Sequence, residues 1–311
     1  MTSSREPQAA RVAHRRILVI FNPSAGRDRH ARLQKVLAHL RQTGCAVTLQ
    51  ETTTPGHGEA IAKDMSTADY DVIVAAGGDG TINEIINGLS GKKVAVGFIP
   101  LGTANVMAKE IGLREDAKSV AHALAFGPLR TVRVGRANNR RFIMMAGVGF
   151  DANVVSGVSL KLKRRVGPLA YIWQAAKEAF AGAFADCDVL IDGVVYHGVS
   201  AVVCNGRNYG GPFIAAPQAS LADDQFYVIL MKGKGWLSVL RYGLSLVVGK
   251  LAAWHDVEII AGRDITLKGR DGQAVQADGD IVAYLPVHIT IDPEPLQFVY
   301  PPASHQLPTR G

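Results

Sequence analysis

Cysteine, aromatic residues and long apolar runs are all scarce in this chain of 311 residues, and each scarcity excludes a class of protein. The three cysteines (Cys45, Cys187 and Cys204) share no spacing. They offer neither a disulfide framework nor a thiolate metal site, and they suit a reducing cytosol. No stretch reaches the about eighteen apolar residues that a membrane span requires, so a soluble chain is expected. The first sixteen residues lack the apolar core of a signal peptide and carry Arg5, Arg11, Arg15 and Arg16, which reads as a disordered basic tail over 1–16. No Gly-x-x-x-x-Gly-Lys-Ser/Thr occurs, which excludes a P-loop NTPase, and no Gly-x-Gly-x-x-Gly opens the first helix, which argues against a dinucleotide redox enzyme. The histidines form no i, i+4 pair around a glutamate, so a zinc hydrolase is not expected. Acid is also in deficit: 27 Asp and Glu face 34 Lys and Arg, a net charge of +7. An anionic partner follows, either a polyphosphate or an acidic membrane surface. No nucleic-acid module is present and the aromatics are not interleaved with the basic residues, so nucleic acid is not the expected partner. A solvated excess of base is the plain alternative.

What is present alternates. Ile17 to Phe21 is a β-branched, wholly apolar run, and Leu33, Val36, Leu37 and Leu40 then recur at a helical period over Ala31 to Thr43. Strand patterns follow at 46–50, 72–76 and 94–99, with helices at 59–65, 80–89, 104–111 and 116–125. Strands alternating with helices predict a doubly wound, mostly parallel sheet over 17–130. Beyond about residue 130 nine short strand-like runs are separated by turn residues, with helical stretches only near 168–184 and 235–253. This predicts a mainly antiparallel, sandwich-like second domain over 131–311, with a return of its last strand to the first domain left open and the functional site in the cleft between the two.

The most informative segment is Gly77-Gly78-Asp79-Gly80-Thr81-Ile82-Asn83-Glu84, directly after the third strand. Its glycines let a backbone approach a ligand closely, and the N–H groups of the helix that follows suit a phosphate. Asp79 can orient a Mg²⁺ ion or a hydroxyl, and Thr81 and Asn83 can donate hydrogen bonds. A tight strand-to-helix turn is the plain alternative. Asn22-Pro23-Ser24-Ala25-Gly26 follows the first strand, Thr52 the second and Leu101-Gly102-Thr103-Ala104-Asn105 the fourth. All four loops therefore belong to one edge of the sheet, where open α/β sheets bind their ligands.

In the second domain Ala277-Asp278-Gly279-Asp280 sets two carboxylates either side of a glycine. This is either a general base for a hydroxyl acceptor or a hairpin turn. Lys161, Lys163, Arg164 and Arg165 precede the apolar stretch Pro168 to Phe184, and Trp236 to Trp254 is apolar with tryptophan at both ends. These read equally as a membrane-contacting surface and as a core helix beside a solvated charge run.

Taken together the motifs resemble the diacylglycerol kinase catalytic-domain family, in particular the bacterial soluble lipid kinases related to sphingosine kinases. The resemblance runs from Ile17 to about Pro301 through ILVIFNPSAGR (17–27), TTTPGHGEAIA (52–62), VIVAAGGDGTINEIINGL (72–89), VGFIPLGTANVMAKEIG (96–112) and GVGFDANV (147–154). It continues in LKRRVGPLAYI (162–172), CNGRNYGGPFIAAPQASLADD (204–224) and ADGD (277–280). It implies ATP-dependent, Mg²⁺-assisted phosphorylation of a lipid hydroxyl, diacylglycerol first, by a peripheral enzyme at the cytoplasmic face of an anionic membrane; a homodimer stays open. By position, Asn22, Pro23, Ser24, Ala25, Gly26, Thr52, Gly77, Gly78, Asp79, Gly80, Thr81, Ile82, Asn83 and Thr103 would hold ATP, and Glu84 would help orient it. The resemblance makes Asp79 essential to transfer and Asp278 the general base, with Asp280 the other candidate. It gives Leu221 and Phe226, through carbonyls, and Asp224, through its side chain, a structural Mg²⁺.

The chain departs from the family pattern at three places. Asp280 stands where glutamate is usual, Gln225 stands where glycine follows the metal-site Asp-Asp, and Gly210-Gly211-Pro212-Phe213 replaces Gly-Gly-Gly-Met. A positive φ at Gln225 would be strained. Two rivals share parts of this pattern: an NAD kinase-like enzyme of soluble metabolites, and a non-catalytic nucleotide-binding regulator.

Overall fold

The computed structural model describes residues 15–24, 27–149 and 186–303. The basic tail up to residue 14, Ala25 and Gly26, the cluster Lys161 to Arg165 and the stretch Pro168 to Phe184 lie outside them.

The first part of the chain builds β1 (Arg16–Phe21), α1 (Arg27–Gln42), β2 (Ala46–Glu51), α2 (His57–Asp64), β3 (Val72–Gly77), α3 (Asp79–Gly88), β4 (Ala95–Pro100), α4 (Val106–Glu110), α5 (Ala117–Phe126) and β5 (Leu129–Val132). β1, β3 and β4 are almost entirely buried, because helices cover both faces of the sheet. β2 lies at the edge and is largely exposed. α1 begins earlier than its apolar period suggests, with Asp28 in its first turn. It buries Leu33, Val36, Leu37 and Leu40 and stops before Gly44, whose φ of 83° ends the helix. Strand order β2-β1-β3-β4 with parallel pairing reverses direction between β1 and β3. Right-handed crossovers then put α1 on one face and α2 and α3 on the other.

The second part is antiparallel throughout its two six-stranded sheets. It contains β6 (Gly135–Ala137), β7 (Arg140–Phe142), β8 (Met145–Val148), β9 (Cys187–Ile191), β10 (Val194–Gly198), β11 (Ser200–Cys204), the small hairpin β12 (Asn208–Tyr209) and β13 (Phe213–Ile214), and β14 (Phe226–Met231). It continues with α6 (Trp236–Val247), β15 (Val257–Gly262), β16 (Ile265–Lys268), β17 (Ala274–Ala277), β18 (Asp280–Tyr284) and β19 (Val287–Ile291). The sheets run β10-β9-β16-β19-β6-β7 and β15-β14-β11-β8-β17-β18. Their facing side chains, among them Val148, Val189, Val203, Leu267 and Ile289, form a core in which Phe142 and Phe226 stack at 5.9 Å. The architecture is the one the sequence pattern implies: a parallel-rich α/β sheet followed by an antiparallel sandwich.

The last strand, β20 (Leu296–Val299), pairs parallel to β4 and antiparallel to β5, so both complete the first sheet. The sequence pattern instead assigns a strand at 131–134 to the second domain. The connection into β20 turns on Asp292, which is fully buried. Its carboxylate accepts from Arg141 Nε at 2.9 Å and Nη2 at 3.0 Å, and from Arg136 Nη2 at 2.6 Å. Arg141 also reaches Glu294 at 2.8 Å and donates to the Ile86 carbonyl at the end of α3. Burial opposes ionisation of Asp292, but the two guanidiniums hold its carboxyl below the usual carboxylate range.

Replacing Asp292 by alanine leaves Arg141 buried without its counter-charge. A loss of about 3–5 kcal/mol is expected from urea unfolding at neutral pH. Because the folded-state carboxyl is held low, its contribution is complete above the ordinary aspartate pKa of about 4 and disappears as pH falls below it. The stability of Asp292→Ala should therefore vary less than wild type across that acid window.

Candidate active site

The reversal between β1 and β3 leaves a crevice outside the carboxyl ends of the strands, which is the place where open α/β sheets receive ligands. Three hydrogen bonds carry the ladder one step beyond the strands and level the loops there. Asn22 N–H donates to Ala76 O at 3.0 Å, Thr52 N–H to Phe21 O at 2.8 Å and Leu101 N–H to Gly77 O at 2.8 Å. Asn22 Oδ1 accepts from Ser24 N–H at 3.1 Å and Ser24 Oγ at 2.6 Å, which closes an Asx turn on the first loop. Thr52 is buried at the start of its loop, whereas Pro23 is half-buried and Ser24 and Thr103 are exposed.

Strand β3 passes into α3 with one residue between them, Gly78, in extended conformation (φ −98°, ψ −172°). The first N–H groups of α3, from Asp79 and Gly80, therefore lie at the carboxyl end of β3 without a preceding turn of helix. Thr81 N–H and Ile82 N–H turn back to Gly78 O at 3.0 and 3.4 Å. The Gly102 loop packs against this segment backbone to backbone. A Cβ on Gly102 would lie 2.6 Å from the Gly78 Cα, so a side chain there would push the two loops apart. Asp79 ties them further, its Oδ1 accepting from Met107 N–H at 3.1 Å at the start of α4. Asn105 takes a left-handed conformation (φ 47°) between them, and its Nδ2 donates to Gly102 O at 3.2 Å. Glu84 faces elsewhere: its carboxylate accepts from Gly56 N–H at 3.0 Å and Gly58 N–H at 2.9 Å. It thus caps the start of α2 and holds the loop after Thr52.

The second domain meets this segment along α3. Asn83 Nδ2 donates to Asp278 Oδ2 at 3.1 Å, and Asn87 exchanges hydrogen bonds with the Arg141 backbone at 2.9 and 3.1 Å. Asp278 sits in the left-handed region (φ 49°), followed by Gly279 at φ 91°, so the turn between β17 and β18 is tight. The two acids of that turn have different surroundings. Asp278 is half-buried, and both of its oxygens are committed: Oδ1 to Met144 N–H (2.9 Å) and Met145 N–H (3.0 Å), Oδ2 to Ile143 N–H (2.7 Å) and Asn83. Burial pushes this carboxyl up to about 6, against the four donors that pull it down. Asp280 is exposed two residues on, with its Oδ2 only 3.6 Å from where a Cβ on Gly80 would be. It overlooks the first turn of α3 from across the cleft.

The sequence pattern points to both acids of the turn but gives no sign of the partners that separate them. The amides of Ile143 to Met145 carry no side-chain signal, and Arg141 and Asn87 escape notice too. The one clue was an arginine pair inside an otherwise apolar strand run, which requires a buried acid somewhere else.

Leu221, Asp224 and Phe226, the expected structural Mg²⁺ ligands, lie on the segment that enters β14. The Leu221 carbonyl accepts from Arg133 N–H at 2.7 Å, and the Asp224 carboxylate lies 3.8 Å from Arg133 and 3.9 Å from Arg263. Among the described residues no group of three or more His, Cys, Asp or Glu converges on a metal position. Gln225 does not have a positive φ, so the condition for strain there is not met, and its amide donates to Tyr227 Oη at 3.1 Å.

Beside the Gly102 loop, the β12–β13 hairpin is anchored by Glu110 of α4, which accepts from Arg207 N–H (3.2 Å) and Asn208 N–H (2.9 Å). Burial raises the Glu110 pKa despite those donors. The hairpin carries Gly210-Gly211-Pro212-Phe213, one of the departures from the family pattern, and a Cβ on Gly211 would come within 4.0 Å of the Ala104 carbonyl.

The same two-part division emerges on comparison with known proteins. The family model for the diacylglycerol kinase catalytic domain matches residues 16–137. That for the YegS C-terminal NAD kinase beta sandwich-like domain matches residues 144–300. A diacylglycerol kinase of Bacillus subtilis is 28% identical over 278 residues, covering 88% of this chain and 92% of its own. One from Staphylococcus aureus is 30% identical over 237 residues, 75% of each chain. The crystal structure of a diacylglycerol kinase from Bacillus anthracis superposes with a TM-score of 0.74 at 22% identity, over 94% of this chain and 99% of that one, and so shares the fold.

A methyl group at residue 102 tests the loop packing. Gly102→Ala should destabilise the chain by about 1–3 kcal/mol, the usual range for overpacking. Amide hydrogen exchange at Gly78 to Ile82 should accelerate, whereas exchange in the sandwich core stays as in wild type. Unchanged exchange at those amides would mean that the two loops do not support each other.

Proposed function

The chain belongs to the diacylglycerol kinase catalytic-domain family, and from that premise we propose that it transfers the γ-phosphoryl group of ATP to a lipid hydroxyl at the cytoplasmic face of the membrane. Diacylglycerol is the acceptor in this reading and phosphatidic acid the product. The family makes the chain a phosphotransferase acting on an alcohol. The observation that supports the finer reading is the meeting of Asp280 with the open first turn of α3 across the cleft. A phosphate acceptor surface and an acid that can receive a hydroxyl proton face one another there.

Phosphoryl transfer asks a protein chiefly for positioning and charge stabilisation. The N–H groups opening α3, with the Asn22–Ser24 turn opposite and Thr103 alongside, supply donors for a triphosphate. Thr52 and the loop held by Glu84 border the same crevice and suit the nucleoside end. Mg²⁺ usually binds through one or two carboxylates together with substrate phosphates, and Asp79 and Asp280 meet that description. When bound it would neutralise charge on the phosphates. Asp280 takes the proton of the acceptor hydroxyl as the new O–P bond forms and the bridging bond to the β-phosphate breaks.

Asp278 is then a positioning residue. With both oxygens committed to four donors, its carboxylate holds Ile143 to Met145 and α3 in register and so fixes the distance from Asp280 to the loop. This reverses the order expected from the family pattern, which puts Asp278 first as base.

Incubation with γ-³²P-ATP and Mg²⁺ tests the reading, with lipid extract in mixed micelles in one tube and NAD in a parallel one. A labelled lipid with the mobility of phosphatidic acid is expected. Label in NADP would replace the lipid acceptor with a soluble one, and nucleotide binding without label in either tube would make the chain a regulator. For the base, Asp280→Asn should lower kcat by about 10²–10⁴-fold with nucleotide affinity kept, and Asp280→Glu should retain turnover. Asp278→Asn should lower thermal stability as well as kcat, whereas Asp280→Asn should lower kcat at an unchanged melting temperature. The opposite pattern would restore Asp278 as the base.

A further inference from the structure

Asn105 is an uneasy residue at the edge of the candidate site. It is 2% exposed, its backbone is left-handed, and among the described residues its Oδ1 meets no donor. Left-handed backbone and orphaned buried acceptors persist where the surroundings impose them, and they concentrate at functional sites. The amide cannot find relief by turning over. Its Nδ2 donates to Gly102 O at 3.2 Å and to Glu115 Oε2 at 3.1 Å, so a flipped amide would set oxygen against a carbonyl and a carboxylate. The oxygen is thereby held towards the two packed glycines. A Cβ on Gly102 would lie 2.6 Å from Asn105 Oδ1 and 2.6 Å from the Gly78 Cα.

The charged half of that clamp, Glu115, stands just before the Asp116 that caps α5. Its Oε1 accepts from Lys109 Nζ of α4, and its Oε2 lies 3.8 Å from Arg32 Nη2 of α1. The same Arg32 nitrogen donates at 3.2 Å to the carbonyl of Pro100, the last residue of β4. Lys109 N–H donates to Asn105 O at 3.2 Å, which closes the circuit. One carboxylate thus ties α1, α4 and the end of β4 to the residue that supports the Gly102 loop. Its side chain and those of Lys109 and Arg32 are partly exposed, and ion pairs of that kind add little to stability. The consequence of the network is the orientation of Asn105 rather than the cohesion of the fold.

We infer that Glu115 is a positioning residue for the nucleotide: acting through Asn105, it fixes the Gly102 loop against Gly78 and so sets the affinity of the crevice for ATP. Hydrogen bonds from backbone N–H groups weaken steeply as their angle falls, so donors at the start of α3 serve a phosphate only while Gly78 is held in place. Lys109 and Arg32 meet the charge of Glu115, so it does not oppose the phosphates. The inference rests on the proposed ATP site and deepens it, naming a residue outside the crevice loops on which that site depends.

The test is calorimetric titration of the full chain with ATP and Mg²⁺ in the absence of lipid. Glu115→Gln keeps the size of the side chain, but its amide nitrogen must face either Asn105 Nδ2 or Lys109 Nζ, donor against donor. Affinity should fall about tenfold, the scale of one lost hydrogen bond to a charged group, and the KM for ATP should rise alike while kcat falls far less. Asn105→Gly accepts the left-handed backbone and removes the orphaned oxygen, so its melting temperature should be kept or raised although its affinity falls. The double variant should bind no more weakly than Asn105→Gly, because Glu115 acts through that side chain. Wild-type affinity in Glu115→Gln overturns the inference, as do losses that add in the double variant. So does a Glu115→Gln chain whose melting temperature, KM and kcat all deteriorate together, since that is the mark of a structural role alone. A wild-type chain that binds no nucleotide, with faster amide exchange at Gly102 to Asn105 in Glu115→Gln, would remove the ATP reading and leave Glu115 as the residue that holds the loop.

Discussion

The attachment of α3 to the second domain is the constraint on which the rest of this structure depends. One helix carries the glycine segment at its start, Asn83 in its middle and Asn87 near its end, and the last two reach across to Asp278 and to the Arg141 backbone. The donors and acceptors at this seam are largely removed from water, so each must be matched or costs about 1–3 kcal/mol. That requirement sets the cleft to one width. Asp280 faces the opening of α3 because Asp278, two residues earlier, is locked from four directions.

The return of the chain into β20 reinforces the same seam from the other side. Asp292 binds Arg136 and Arg141 inside the protein, and Arg141 reaches on to Ile86 O at the far end of α3. A buried ion pair adds little net stability relative to apolar packing, but it tolerates very few geometries. We read the network as a device of register: it ties the last strand of the first sheet, two strands of the sandwich and the seam helix into one arrangement. The loops at the carboxyl edge can then be glycine-rich and open, because their positions are set by ladder hydrogen bonds and by the helices that follow.

Much of this could be read from the chain itself. The wholly apolar runs Ile17–Phe21 and Val72–Ala76 could only be strands covered on both faces, and the period of Leu33, Val36, Leu37 and Leu40 could only be a helix. The four loops at one sheet edge followed from strand order alone. Other features had no local signal. The strand at 129–132 joins the first sheet because β20 returns to pair with it, a contact across more than 160 residues. Arg133 and Arg263 arrive beside Asp224 from distant parts of the chain, which no residue near 224 signals. Gln225 proved unstrained because the backbone there does not take a positive φ.

The sequence by itself determined the two-part architecture, the segment 77–84 as the centre of the first domain and the pair Asp278 and Asp280 as the acids opposite it. These are matters of period, composition and turn chemistry, each written in a few consecutive residues. Tertiary structure alone decided how the two acids differ. The backbone amides that enclose Asp278 and the open cleft beside Asp280 come from segments more than 130 residues away, and the fold brings them there. A carboxylate's chemistry depends on which donors reach it and whether water does, and neither is encoded in its neighbours along the chain.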